Sequence, residues 1–99
     1  MALIVQKFGG TSVADPDRMR EVADHVARTK RRGGDVVLVV SAMGKETDDL
    51  LYLASQISSR PAGREMDMLI TAGERKATAL VTMALHDLGV EAESFTGSQ

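Results

Sequence analysis

Lys7 closes an apolar strand pattern and runs at once into two glycines and two hydroxyl residues, in the stretch Lys7-Phe8-Gly9-Gly10-Thr11-Ser12. Adjacent glycines let a backbone come close to a ligand, and amides at a strand-to-helix turn can point at an anion. A helix start follows, and its N-terminus adds positive potential. A lysine beside such a turn would place a compact ammonium where charge develops on a transferring phosphoryl group. The order differs from the Walker pattern, in which the lysine follows the glycines, and there is no G-x-G-x-x-G. An ordinary strand-end turn with a solvated lysine reads these residues equally well.

A second stretch, Ser41-Ala42-Met43-Gly44, ends the next apolar run, with Thr47 close behind. It reads either as a small-residue turn with Thr47 as a helix cap or as further polar lining for the same ligand. A third, Thr71-Ala72-Gly73-Glu74-Arg75-Lys76, lies inside a long helical pattern. Gly73 there costs about 0.5–1 kcal/mol relative to alanine, so close packing or a ligand must require it. Glu74 could receive an ammonium group, or it is a solvated helix residue helped by Lys76 or another nearby cation. His25 and His86 have no matching carboxylate or second histidine at metal spacing and read as surface residues. The methionines read as core filler.

The elements that must position these residues follow in a legible order. Ala2 to Phe8 reads as a strand buried on both faces at its start. Asp15 is a good N-cap and Pro16 fits the first helical position; Asp17 adds negative charge to the first turn. Met19, Val22, Ala23, Val26 and Ala27 share one helical face, and Gly33-Gly34 stop the helix. Asp35 to Ser41 is a continuous apolar run of the kind found in central parallel strands. Thr47, Asp48 and Asp49 are cap candidates for a helix from about Leu50 to Ile57. A longer helix spans roughly Arg64 to Leu88, with Met66, Leu69, Ile70, Ala77, Leu80, Val81, Ala84 and Leu88 on its buried stripe. The stretch from Val90 to Gln99 begins a third strand, ending in Thr96, Gly97 and Ser98.

This β-α-β-α-α-β order predicts an α/β fold with a mainly parallel open sheet and flanking helices. The C-terminal ends of parallel strands lie along one edge, where ligands bind. All three small, hydroxyl-rich strand ends would therefore meet there. The next helix that such alternation calls for is missing, so residues 1–99 read as the N-terminal portion of a larger domain.

Ninety-nine residues, 43% hydrophobic and 26% charged with a net charge of −2, describe a globular chain with a modest core. Scattered basic residues and only one tyrosine and two phenylalanines argue against nucleic acid. The absence of cysteine excludes disulfides, thiolate catalysis and cysteine-based zinc sites. No apolar run approaches the roughly 20 residues of a membrane span. With no basic leader pattern either, a cytoplasmic protein is the expectation.

Taken together, "VQKFGGTSVAD", "VVLVVSAMGKETDDLL", "EMDMLITAGERKATALVTMAL" and "GVEAESFTGSQ" resemble the N-terminal part of the bacterial-type aspartate kinases, in the amino acid kinase family. The stretches stand in the family's order and span nearly the whole chain. The resemblance implies transfer of the γ-phosphoryl of ATP to the side-chain carboxylate of L-aspartate, with Mg²⁺ bridging phosphate oxygens. That step opens the synthesis of lysine, threonine and methionine. An aspartate carboxylate, with a reference pKa of about 3.9, is ionised at neutral pH and needs no general base. It needs charge neutralisation and the positioning of two anions.

Carried over by the resemblance, Lys7 is catalytic and stabilises the moving phosphoryl group, with Gly9 and Gly10 amides beside it. Ser12 and Ser41 line the phosphate or aspartate region, with Gly44 beside the phosphates, and Thr47 and Glu74 hold aspartate, Glu74 nearest its α-ammonium. The chain departs from the family pattern twice. Ala77 stands where a serine is common, removing a hydroxyl near the aspartate region, and Lys76 stands where an apolar residue is usual. The family's later segments, including a substrate-binding arginine and aspartate and the regulatory ACT domains, would lie beyond Gln99. The complete protein is then expected to be a homo-oligomer and the 99-residue chain alone inactive. A non-catalytic anion- or partner-binding α/β module, or an amino acid kinase acting on glutamate derivatives or carbamate, are the competing readings.

Overall fold

The computed structural model describes residues 2–95. Two parallel strands, β1 (Leu3–Phe8) and β2 (Asp35–Val40), pair from Leu3 opposite Asp35 to Phe8 opposite Val40. Between them run a short 3₁₀ turn (Gly10–Val13) and helix α1 (Pro16–Arg31). Helices α2 (Glu46–Ile57) and α3 (Gly63–Asp87) follow β2. No helix among the described residues is long and apolar enough to cross a membrane.

α1 follows from local chemistry. The Asp15 carboxylate accepts from the Arg18 amide at 2.8 Å, capping the helix, and Pro16 occupies its first turn. The residues it buries are Met19, Val22, Ala23, Val26 and Ala27, the stripe expected from the sequence. After Arg31 the chain turns at Gly33, whose φ of +96° suits glycine.

The core lies between the sheet and the helices. Phe8, Val36, Leu38 and Val40 on the inner face of the strands meet Val22 and Val26 of α1 and Ala77, Val81 and Leu85 of α3. α3 passes through this core by burying Gly73, Ala77, Val81 and Leu85, four residues apart along one row. Leu80 and Leu88, expected in the stripe, sit at its exposed margin instead. Met68 and Met83 are exposed as well, so not every methionine fills the core.

Three expectations are corrected. The start of β1 is not buried on both faces: Leu3 is 68% and Val5 66% exposed, because strand alternation turns them, with Val37 and Val39, to the face opposite the helices. α2 begins at Glu46, with Lys45 at its N-cap making no side-chain cap bond. Thr47 therefore stands within the first turn and does not cap the helix. Finally, Val90–Phe95 carries no strand pairing. That segment is tied back by Val90 N–H donating to Leu85 O at 3.1 Å and by His86 Nε2 donating to Ala92 O at 2.8 Å. Thr96, Gly97 and Ser98 of the expected strand end lie outside the described residues.

Candidate functional site

Parallel pairing brings the C-terminal ends of β1 and β2 side by side, and their loops are bonded together. Ser41 N–H donates to Phe8 O at 3.1 Å, and Gly44 N–H donates to Gly10 O at 2.9 Å. A Cβ on Gly10 would stand 3.0 Å from Ala42 O and 3.1 Å from Gly44 O. These are fixed backbone oxygens, so only glycine lets the loops meet. Gly44 itself turns with φ +48°. Gly9, in contrast, has nothing within 4 Å of where its Cβ would be. The two glycines of the pair thus differ: Gly10 is required by packing, and Gly9 faces open space.

Arg18 fixes the other side of the first loop. Its Nη1 donates to Thr11 O at 2.9 Å, and its Nε lies 3.7 Å from Asp15 Oδ2. Ser12 N–H donates to Gly9 O at 3.1 Å, closing the 3₁₀ turn. The amides of Ser12 and Gly44 are thereby spent inside the loops, leaving Ser12 its hydroxyl and Gly44 its shape. The loop borders a shallow cleft of about 460 Å³ lined by Phe8, Thr11, Ser12, Arg18, Glu21 and His25, among others. Arg18 is the contributor that local reading passed over. Its position three residues after the Asp15 cap explained a helix start, not a contact with Thr11.

Lys7 belongs to the outward set of β1, opposite Val39, and is exposed. Among the described residues it has no ion-pair partner. Thr47 is half-buried, and its hydroxyl makes no hydrogen bond among the described residues. Glu74 is exposed on α3 and lines a second cleft, of about 660 Å³, along β2 and the Val90–Phe95 segment. The expected help from Lys76 is absent, because that ammonium binds Glu46 Oε2 at 2.6 Å. The carboxylate of Glu74 is accordingly uncommitted among the described residues.

The structure therefore gathers Gly9, Gly10, Ser12, Ser41 and Gly44 onto one rim and leaves Lys7 at its edge. Ser12 and Glu74 line separate clefts. Gly73 resolves its two readings in favour of packing: a Cβ there would stand 3.3 Å from Ala42 Cβ, Glu46 Cγ and Leu50 Cδ1. Ala77 is fully buried in the core beside Val81, so its missing hydroxyl would have faced apolar side chains. The rim offers backbone groups and hydroxyls, and Lys7 stands on β1 just before it, exposed. Among the described residues no group of three or more His, Asp or Glu side chains could hold a metal ion.

Residues 2–99 match the amino acid kinase family. The whole chain is 64% identical to the aspartokinase of Mycolicibacterium smegmatis and 58% identical to that of Corynebacterium glutamicum, spanning 24% of each. The chain thus spans about a quarter of the length of these curated relatives. The crystal structure of aspartate kinase from Synechocystis superposes with a TM-score of 0.96 at 53% identity, covering 99% of this chain and 17% of that one. With an α/β fold that superposes on that enzyme and a family match over nearly all its residues, the chain belongs to the amino acid kinase family.

Proposed function

We propose that this chain is part of an aspartate kinase that transfers the γ-phosphoryl group of ATP to the side-chain carboxylate of L-aspartate, giving 4-phospho-L-aspartate. The observation that carries the reading is the bond from Gly44 to Gly10, which makes two glycine loops one rim beside an exposed Lys7 with no ion-pair partner among the described residues. The aspartokinase relatives, at 54–64% identity, support aspartate as the acceptor.

In this reading Lys7 is the catalytic residue and places its charge on the oxygens of the moving phosphoryl group. Gly9 and Gly10 bring backbone close to the phosphates, and Ser12, Ser41 and Gly44 line the same rim. Thr47 and Glu74 bind aspartate, with the carboxylate of Glu74 taking its α-ammonium. Mg²⁺ would arrive carried on the phosphates of ATP and would supply charge neutralisation there, with no side chain of the rim assigned to hold it. The complete protein is a cytoplasmic homo-oligomer, and the 99 residues alone do not turn over.

Substrate profiling tests the choice of acceptor. The chain is joined to the remaining three quarters of the Mycolicibacterium smegmatis aspartokinase and offered aspartate, glutamate or carbamate with ATP and Mg²⁺. Acyl phosphate formed with aspartate alone is expected. Preference for glutamate or carbamate would move the chain to another amino acid kinase.

A further inference from the structure

Glu46, the first residue of α2, is held at three points. Its amide donates to Met43 O at 2.8 Å, tying it to the Ser41–Gly44 loop. Its Cγ packs over Gly73, 3.3 Å from where a Cβ on that glycine would stand, a tight contact. Its carboxylate meets the Lys76 ammonium at 2.6 Å, across 30 residues of sequence. Among the described residues Lys45 provides no side-chain cap, and α2 buries no residue completely. Its first turn also carries Asp48 and Asp49 beside Glu46, a crowd of negative charge that Lys76 relieves.

The neighbours of this pair carry the aspartate assignment. Thr47 follows Glu46 on α2, and Glu74 precedes Lys76 by two residues on α3. We infer that Glu46 and Lys76 are positioning residues for the aspartate subsite, their ion pair fixing how far Thr47 stands from Glu74. The inference rests on the reading of Thr47 and Glu74 as the aspartate-binding pair. Lys76 is 51% exposed and Glu46 24%, so the bridge adds little to global stability. Its effect falls on geometry, to which the binding of a small, doubly charged substrate is sensitive.

The test uses the chain joined to the remaining three quarters of the Mycolicibacterium smegmatis aspartokinase, with Lys76→Glu, Glu46→Lys, the doubly swapped protein and Lys76→Arg. Each single reversal is expected to raise the KM for aspartate about three- to tenfold while the KM for ATP stays within about twofold. The swapped protein and Lys76→Arg are expected to return the aspartate KM to within about twofold of the parent. An unchanged aspartate KM in both reversals, or no recovery in a swapped protein whose melting matches the parent, would overturn the inference while leaving the kinase reading intact. A folded parent that forms no acyl phosphate from aspartate would remove that reading, and the inference with it.

Discussion

The amide of Gly44 donates to the carbonyl of Gly10 over 2.9 Å, joining the loop after β1 to the loop after β2. Thirty-odd residues of sequence separate the two glycines, yet parallel strand pairing puts them in contact. Because the oxygens of Ala42 and Gly44 crowd Gly10, a methyl there forces a backbone shift. Gly10→Ala is expected to lower stability by about 1–3 kcal/mol in urea unfolding, with a rise in the KM for ATP.

Gly9→Ala separates packing from ligand approach. With open space around Gly9 and an extended backbone at φ −78°, stability should stay within about 0.5 kcal/mol of the parent. If phosphate approaches this backbone, activity should still fall at least about tenfold, measured as kcat/KM for ATP. Unchanged activity would move the phosphates away from Gly9.

Arg18 couples the helix cap to the loop through Asp15 and Thr11 O. Arg18→Ala keeps the backbone cap bond and loses the guanidinium contacts. It is expected to cost about 0.5–1.5 kcal/mol in thermal unfolding and to raise the KM for ATP more than that for aspartate. Asp15→Ala, which removes the cap itself, should cost about 1 kcal/mol.

Gly73 lets α3 lie against Ala42, Glu46 and Leu50. Alanine would gain up to about 1 kcal/mol of helix propensity and give much of it back in three tight contacts. Valine has no such offset, and Gly73→Val should destabilise by about 1–3 kcal/mol, read as a lowered urea midpoint.

Local chemistry made α1 readable to the residue: a cap, a proline and one apolar stripe all fall within one helix. The shared edge of the strand ends was readable as well, since it follows from parallel alternation alone. What needs a distant partner was not. Lys76 looked like help for its near neighbour Glu74 because its actual partner, Glu46, lies 30 positions away. Thr47 looked like a cap because nothing local says that α2 starts about four residues before Leu50, at Glu46 without a side-chain cap. Val90–Phe95 carries strand-like residues, but a strand exists only when a neighbour pairs with it, and here His86 and Leu85 hold the segment against the helix end instead. The outward apolar set of Leu3, Val5, Val37 and Val39 read as buried because sequence shows hydrophobicity and not which layer covers it.

Lys7 is where the proposed chemistry is most exposed to refutation, because it is solvent-exposed and unpaired among the described residues, so removing it should barely touch the fold. The decisive experiment is a hydroxamate assay for aspartyl phosphate, with ATP, Mg²⁺ and aspartate. It compares the 99-residue chain, the chain joined to the rest of the Mycolicibacterium smegmatis aspartokinase, and the joined protein carrying Lys7→Ala. Hydroxamate from the joined protein alone is the expected result, with kcat reduced about 10²–10³-fold in the variant. A folded joined protein that forms none, or a Lys7→Ala protein as active as its parent, would contradict it.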